Sequence, residues 1–143
     1  MHAVRELMTG ALVTVGPETA LLEARELMRK ERIRHLLVTE DRRLVGIVTD
    51  RDIRLHLPSQ ATSLSAGEVN YLLARLPVSR VMARTLVTVE PDRDARAAAQ
   101  LMLDHRIGCL PVLEGHALVG IITETDVVRA FVRSRPAAMA EPS

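Results

Sequence analysis

Aromatic side chains are almost absent from this chain of 143 residues, which has one tyrosine, one phenylalanine and no tryptophan. The core must therefore consist of Leu, Val, Ile, Met and Ala side chains. Proteins that bind single-stranded nucleic acid stack the bases on aromatic platforms, and this chain has too few aromatics to build one. The formal net charge is +1, from 19 basic and 18 acidic residues. That balance produces no field that would attract nucleic acid or an anionic membrane.

Cysteine is equally scarce, because Cys109 is the only one, and this excludes an internal disulfide. A single thiol fits a reducing compartment. The N-terminus lacks the basic region and apolar run of a signal peptide. No apolar stretch approaches the roughly 18 residues that a membrane span needs. We therefore expect a cytoplasmic protein.

No recognisable catalytic or metal-binding constellation is found in the sequence. The five histidines have no metal-type spacing with one another or with Cys109. Cys109 lies in an apolar run, where an inert core thiol is expected rather than a reactive one. Lys30 is the only lysine and sits among charged neighbours on a predicted solvated helix face. The chain also has no P-loop and no GxGxxG motif, so we predict neither an enzyme nor a metal site.

The chain does contain an internal repeat. The stretch Gly46–Asp52 returns as Gly120–Asp126, an offset of 120 − 46 = 74 residues. Between residues 4–53 and 78–127, 21 of 50 aligned positions are identical without a gap. Each copy is therefore predicted to be one supersecondary unit. A unit this small buries too little surface to be stable alone, so we expect the two copies to pack on each other.

Each copy has the pattern of a β-α-β-β-α unit, which predicts a mixed α/β (α+β) fold. The first copy predicts a short helical turn, a brief strand, a helix capped by Thr19, two strands joined by a charged turn, and a final helix. These elements are expected at Val4–Met8, Leu12–Val15, about Ala20–Arg32, 36–38, 44–48 and after Thr49. The second copy repeats this order 74 residues later, with Asp92 or Asp94 near the cap of its long helix.

A connector separates the two copies. Residues 58–63 have the composition of a loop, and Ser65 with Glu68 forms a predicted capping box for a helix from about Ala66 to Leu76. The tail lacks periodicity and is expected to be disordered. The predicted divisions are residues 4–57, 58–77, 78–133 and 134–143.

Both copies end their last strand with a Thr-x-x-Asp pair, Thr49 with Asp52 and Thr123 with Asp126. One interpretation is structural, since a threonine N-cap with an acid three residues later is a capping arrangement. The other is a ligand site, because α/β folds place ligands at the carboxyl ends of strands. Free amides at a helix start favour phosphate. A carboxylate one turn further can accept two hydrogen bonds from a ribose diol, so the combination suits a nucleotide.

Basic residues precede a strand in the first copy only. Arg34 and His35 stand where the second copy has Gly108 and Cys109. Arginine can clamp phosphate with two hydrogen bonds, and histidine adds charge below about pH 6.5. The alternative is that these are surface charges beside a strand.

The motifs Met8-Thr9, Val13-Thr14-Val15-x-Pro17, Ile107–Val112 and Leu118–Asp126 resemble the cystathionine-β-synthase (CBS) domain, present twice. A tandem pair of this kind is called a Bateman module. The likeness covers nearly everything from residue 4 to 129. The connector and the ending 123–131 resemble stand-alone CBS proteins of the acetoin-utilisation type.

The resemblance implies two repeats packed with pseudo-two-fold symmetry, with two clefts that bind AMP, ADP or ATP, or in some members S-adenosylmethionine or a dinucleotide. It implies no required cofactor. Asp52 and Asp126 would each hold a ribose, and Thr49 and Thr123 would face phosphate. The adenine would be sandwiched between Ile33 and Ile47 in one site, or between Ile107 and Ile121 in the other, with backbone near Val13 or Val87 reading its edge. Arg34 and His35 would be phosphate partners of the Thr123/Asp126 site. The other site would receive Gly108 and Cys109 at the corresponding positions.

One position departs from the family pattern. The first copy has Leu37 where the family usually has proline, and the second copy keeps Pro111. Together with the charge difference, this favours the Thr123/Asp126 site as the better nucleotide site. The expected function is a regulatory, homodimeric module acting on another protein. The alternative is a structural or interaction protein whose clefts are vestigial and whose Thr-x-x-Asp pairs are only helix caps.

Overall fold

The structure is a computed structural model, and it describes residues 2–57 and 64–134. The predicted loop at 58–63 and residues 135–143 of the predicted tail lie outside the described residues. The observed elements in chain order are α1 Val4–Leu7, β1 Thr14–Val15, α2 Leu21–Glu31, β2 His35–Glu40, β3 Arg43–Thr49, α3 Asp50–Leu55, α4 Ala66–Arg75, a 3₁₀ turn Val78–Arg80, α5 Ala95–His105, β4 Cys109–Glu114, β5 Ala117–Thr123 and α6 Glu124–Arg133.

The chain forms two compact units that do not coincide with the two sequence copies. The central unit runs from Val13 to Leu86, and the terminal unit combines the residues up to Leu12 with those from Val87 onward. Residues 4–12 of the first copy therefore belong to the terminal unit, which holds most of the second copy. Residues 78–86 of the second copy belong to the central unit, which holds most of the first. The repeat predicted the elements and their order, which the mixed α/β structure confirms. The predicted domain limits stay a prediction.

The central unit contains a three-stranded sheet in the order β1-β2-β3. Strand β1 is parallel to β2, and β2 is antiparallel to β3. The two-residue hairpin loop consists of Asp41 and Arg42, both with positive φ (52° and 67°), as expected for a type I′ turn. Leu21, Leu36, Val48, Ile53 and Leu73 are among the buried residues that form the core of this unit.

The terminal unit contains the antiparallel pair β4-β5, in the same register as β2-β3. Its core includes Val4, Ala98, Leu110, Val112 and Ile122. Val4 belongs to the short helix α1, and the Val4 backbone amide donates to the Arg93 carbonyl at 2.8 Å. The opening segment of the chain is therefore part of this core.

The predicted strand at 86–89 is wrong, because only Val89 pairs, in an isolated parallel bridge to Val112. The Val89 amide donates to the Pro111 carbonyl at 3.1 Å, and the Leu113 amide donates to the Val89 carbonyl at 2.9 Å. The next bond of a parallel ladder would need an amide hydrogen on Pro111, which proline lacks. Leu37 occupies the equivalent position in the central unit, where β1 forms.

The predicted cap of the first long helix is also wrong. Helix α2 begins at Leu21 with Ala20 as N-cap and no side-chain cap bond. The Thr19 hydroxyl instead accepts from the Gly16 amide at 3.1 Å, and the Leu76 carbonyl accepts from the Leu21 amide at 2.8 Å. The first amide of α2 is therefore satisfied by a backbone carbonyl distant in sequence and not by the capping side chain that the local sequence pattern predicts.

Two other predicted caps are confirmed. Asp94 caps α5 by accepting from the Arg96 amide at 2.9 Å. Ser65 and Glu68 form the capping box of α4, with the Glu68 amide donating to the Ser65 hydroxyl at 3.1 Å and the Ser65 amide donating to the Glu68 carboxylate at 3.2 Å. These caps depend on neighbours within a few residues, which is why the sequence predicts them.

Gly120 permits a close approach of the opening segment to β5. A Cβ added there would lie 2.6 Å from the Met8 Sδ atom and 3.1 Å from the Thr9 carbonyl oxygen. Thr9 forms an antiparallel bridge to Ile121, with amide-to-carbonyl distances of 2.8 and 3.0 Å. Gly46 is crowded in the same way by Met82 and Ala83 in the central unit. The glycine of each repeat therefore permits a close backbone contact. Gly120 on β5 admits the segment at Met8 and Thr9, and Gly46 on β3 admits the segment at Met82 and Ala83.

We predict that Gly120→Ala lowers the free energy of unfolding by about 1–3 kcal/mol, the usual range for overpacking. Met8 must move and the Thr9 backbone is already close. Denaturant unfolding measures the change. Gly10→Ala is the matched control, because a Cβ at Gly10 meets nothing within 4 Å. Equal stabilities of the two variants would contradict the role assigned to Gly120.

Candidate functional site

Thr123 closes β5 and is the N-cap of α6. Its hydroxyl accepts from the Asp126 amide at 3.2 Å, and the Asp126 carboxylate Oδ2 accepts from the Thr123 amide at 2.9 Å. Thr49 and Asp52 make the same two bonds in the central unit, at 3.0 and 2.9 Å. The structural interpretation of both Thr-x-x-Asp pairs as capping boxes is therefore confirmed.

Asp126 differs from Asp52 in its surroundings. Asp126 is 7% exposed and is the one buried charged residue in the described part of the chain, whereas Asp52 is half-buried. The Thr9 hydroxyl donates to the Asp126 Oδ1 atom at 3.4 Å, and the Arg129 guanidinium lies 3.7 Å from the same oxygen. An ionised carboxylate offers about four acceptor positions over its two oxygens. Asp126 thus retains capacity for further hydrogen bonds.

Thr9 is a site residue that the sequence argument missed. It reaches Asp126 because its backbone is paired with Ile121 on β5, a contact between segments more than a hundred residues apart. The sequence contains a signal for it, since Thr9 aligns with Ala83 in the repeat. The central unit consequently has an alanine, without a hydroxyl, at the position that corresponds to Thr9.

A pocket of about 420 Å³ opens beside Asp126 in the terminal unit. It combines two basic side chains of α6 with residues of the opening segment and the end of α6. The lining residues are His2, Glu6, Leu7, Asp126, Arg129, Ala130, Arg133 and Ser134. Of these, only Asp126 was predicted as a site residue. His2, Glu6 and Leu7 reach the pocket through the opening segment, whose helix α1 contacts α6, whereas the other residues follow Asp126 on α6 or at its end.

The other predicted residues of the second copy gather at one end of the β4-β5 hairpin. Cys109 is buried and is the register partner of Thr123. The Gly108 carbonyl accepts from the Glu124 amide at 3.0 Å, so it lies at the start of α6. Ile107 and Val87 are partly buried and pack against the core of this unit. Ile121 lies on β5 two residues before Thr123.

The predicted residues of the first copy have a similar arrangement in the central unit. His35 is the register partner of Thr49, and the Arg34 carbonyl accepts from the Asp50 amide at 3.1 Å. Ile47 lies on β3 and bridges to Ala83. Ile33 and Val13 pack against the core of this unit. The expectation that Arg34 and His35 serve the Thr123/Asp126 site joins residues of different units and stays a prediction.

No group of three or more His, Cys, Asp or Glu side chains within residues 2–57 and 64–134 is arranged to hold a metal ion. None of the helices described there has the length and hydropathy to cross a bilayer.

Comparison with known proteins identifies both copies. A family model of the CBS domain matches residues 4–59 and 78–133. The CBS domain-containing protein YhcV of Bacillus subtilis is 34% identical over 127 residues, which cover 89% of this chain and 84% of YhcV. Some other relatives are longer, and this chain spans 34% and 44% of two of them.

Solved structures share the fold. A Vibrio cholerae protein assigned to acetoin utilization (AcuB) superimposes with a TM-score of 0.75 at 31% identity, covering 95% of this chain and 99% of that chain. The CBS domain pair of protein MJ0100, solved with 5′-methylthioadenosine and S-adenosyl-L-methionine, has a TM-score of 0.75 at 25% identity. The alignment covers 92% of this chain and 97% of that one.

Proposed function

The chain belongs to the CBS domain family, as a tandem pair, and from that premise we propose that it is a non-enzymatic regulatory module that binds an adenosine-containing ligand. The observation that carries the proposal is the buried Asp126 carboxylate, which lies at the start of α6 and lines a pocket of about 420 Å³. The MJ0100 pair, a structural neighbour, binds two adenosine compounds, which supports the same ligand class here.

Asp126 is assigned to the ribose. Its carboxylate is held by the Thr123 amide and faces Thr9 and Arg129. Hydrogen bonds to an ionised acceptor are worth about 1.5–3 kcal/mol, more than those between neutral groups. A ribose diol that replaces water on this carboxylate would therefore contribute strongly to affinity.

Phosphate is assigned to Thr123 and the basic residues nearby. Arg129 and Arg133 line the pocket of the terminal unit, and guanidinium groups bind phosphate bidentately. They favour AMP, ADP or ATP over S-adenosylmethionine, whose sulfonium carries positive charge. Ile107 and Ile121 are assigned to the adenine, with backbone near Val87 or Val13. Arg34 and His35 remain proposed phosphate partners.

The Asp126 site is proposed as the better of the two. Asp126 is buried and faces a threonine hydroxyl, whereas Asp52 is half-buried and its unit has Ala83 at the position equivalent to Thr9. Pro111 further distinguishes the second copy from the first, which has Leu37. Thr49, Asp52, Ile33 and Ile47 are proposed to form a second, weaker site.

We predict that isothermal titration calorimetry detects binding of AMP, ATP or S-adenosylmethionine, and that Asp126→Ala lowers the affinity for the ligand that binds by about 10- to 150-fold. This factor corresponds to the loss of about 1.5–3 kcal/mol from a charged hydrogen bond. Asp104→Ala is the control, since Asp104 is an exposed carboxylate on α5, and it should leave affinity unchanged.

The ligand-induced shift in the melting temperature of Asp126→Ala separates this proposal from the structural alternative. The variant loses a helix cap in either case and should melt at a lower temperature than the wild type. If the pair is only a cap, the ligand still shifts the melting temperature of the variant as it does that of the wild type, whereas the proposal expects that shift to be lost. Failure of the wild-type protein to bind any of the three ligands would also refute the proposal.

The proposed module is a homodimer that acts on another protein, in the cytoplasm. Support for the dimer comes from an exposed apolar face on the terminal unit, here called the α6 face, which comprises Val128, Phe131 and Val132. These residues share one side of the helix at spacings of three and four. Phe131 is 78% exposed, and an exposed apolar cluster of this kind marks an interaction surface.

We predict that Phe131→Asp converts the dimer to a monomer, because it places a charge in an apolar contact. Size-exclusion chromatography with light scattering measures the mass. Leu55→Asp is the control, since Leu55 is an equally apolar and 69% exposed residue of α3 outside the α6 face. A monomeric wild-type protein, or a Phe131→Asp variant that stays dimeric, would contradict the assignment of this face.

A further inference from the structure

The central unit has a second pocket, of about 410 Å³, between α2 and α3. Four of its lining side chains are arginines, one is an aspartate, and the others are apolar. The lining residues are Arg25, Met28, Arg29, Ile33, Arg34, Asp50, Ile53, Arg54 and Leu57. We call it the arginine pocket.

Positive charge in the arginine pocket exceeds the negative charge available to balance it. Asp50 pairs with Arg54 at 3.2 Å, and Arg25 donates to the neutral Asn70 side chain. Arg29 and Arg34 make no side-chain hydrogen bond or ion pair with the residues that the structure describes. Arg25, Arg29 and Arg34 therefore share the pocket without a salt-bridge partner in the described part of the chain, although the charges of Glu26 and Asp50 both act on Arg25.

Arg25 shows the effect of this crowding. Burial lowers the pKa of Arg25, and the charge of Arg29 lowers it further. Its Nε atom is buried and has no hydrogen-bond partner among the described residues. A buried donor without a partner loses its hydrogen bond to water without replacement, which destabilises the fold. An anion in the pocket would reduce the repulsion between Arg25 and Arg29.

The charge is specific to one repeat, whereas the scaffold is common to both. Met28 and Ile33 are identical in the second copy, as Met102 and Ile107. All four arginines are replaced there by small or apolar residues. The replacements, at the offset of 74, are Ala99 for Arg25, Leu103 for Arg29, Gly108 for Arg34 and Val128 for Arg54. The fold of a copy thus does not require these arginines.

We propose that the arginine pocket binds a small multivalent anion of the phosphate class, such as a diphosphate. Guanidinium groups match phosphate geometry with two parallel hydrogen bonds. The apolar side chains of Met28, Ile33 and Ile53 form one wall of the pocket. Its volume falls within the range of about 300–1,000 Å³ that is usual for small-molecule sites.

A second copy of the chain is a less suitable occupant. Pairing of two arginine pockets would bring like charges together, which opposes association. The exposed apolar α6 face, which is the proposed dimer surface, belongs to the other unit. Occupation by a second copy is nevertheless distinguishable, because it predicts a change in molecular mass rather than in anion affinity.

The test is isothermal titration calorimetry, in which the purified chain is titrated with pyrophosphate at constant ionic strength. The variant Arg29→Leu/Arg54→Val introduces the residues that the second copy carries at these positions. The control variant Arg43→Gln/Arg80→Gln removes the same charge from exposed positions outside the pocket. Arg34 is left intact, because it is also a proposed partner of the nucleotide. Asp126→Ala and Asp52→Ala report whether pyrophosphate uses one of the two proposed nucleotide sites instead.

We expect the wild type, the control variant, Asp126→Ala and Asp52→Ala to bind pyrophosphate equally, and Arg29→Leu/Arg54→Val to bind it at least about tenfold more weakly. The proposal is overturned if the wild type does not bind, if the two double variants weaken equally, or if either Asp126→Ala or Asp52→Ala abolishes binding. It is also overturned if Arg29→Leu/Arg54→Val changes the molecular mass and leaves affinity unchanged. Circular dichroism of each variant verifies that it is folded. Because adenosine binding is measured separately, failure of either proposal leaves the other standing.

Discussion

The close contact between the opening segment of the chain and β5 is the constraint on which the terminal unit depends. Gly120 has no side chain where Met8 and the Thr9 carbonyl approach the strand. This permits Thr9 to pair with Ile121 and directs its hydroxyl toward Asp126. The same segment contributes Val4 to the core and Glu6 and Leu7 to the pocket. Packing, strand pairing and the candidate site therefore share one cause.

The Thr-x-x-Asp pair has a structural role and is also proposed as a ligand site, and the two are compatible. The carboxylate that caps α6 through the Thr123 amide is held in a fixed orientation by that bond. A binding group positioned by the fold loses little freedom when a ligand arrives, which favours affinity. The equivalent pair in the central unit has the same cap but a more exposed carboxylate. The copies thus preserve the cap and differ in the surroundings.

The repeat allowed the sequence to predict most elements and their order, because strand and helix patterns depend on neighbours a few residues apart. The capping boxes at Thr49 and Thr123 were predictable for the same reason. The strand predicted at 86–89 does not form, because the ladder beyond Val89 would need an amide hydrogen that Pro111 lacks. Thr9 and the Leu76 carbonyl act through contacts distant in sequence. The partner segments of such contacts follow from the tertiary fold, which a local pattern does not contain.

The two copies have diverged in charge more than in shape. Arginines cluster between α2 and α3, and apolar residues replace them in the second copy, where the exposed α6 face is found. This divergence is consistent with a module in which one copy meets an anion and the other a protein surface. We propose above that an adenosine ligand binds at Asp126, and a crystal structure of the protein with AMP tests this. We expect density for the ribose within hydrogen-bonding distance of the Asp126 carboxylate. AMP bound away from Asp126, including AMP bound at Asp52 alone, would contradict the proposal.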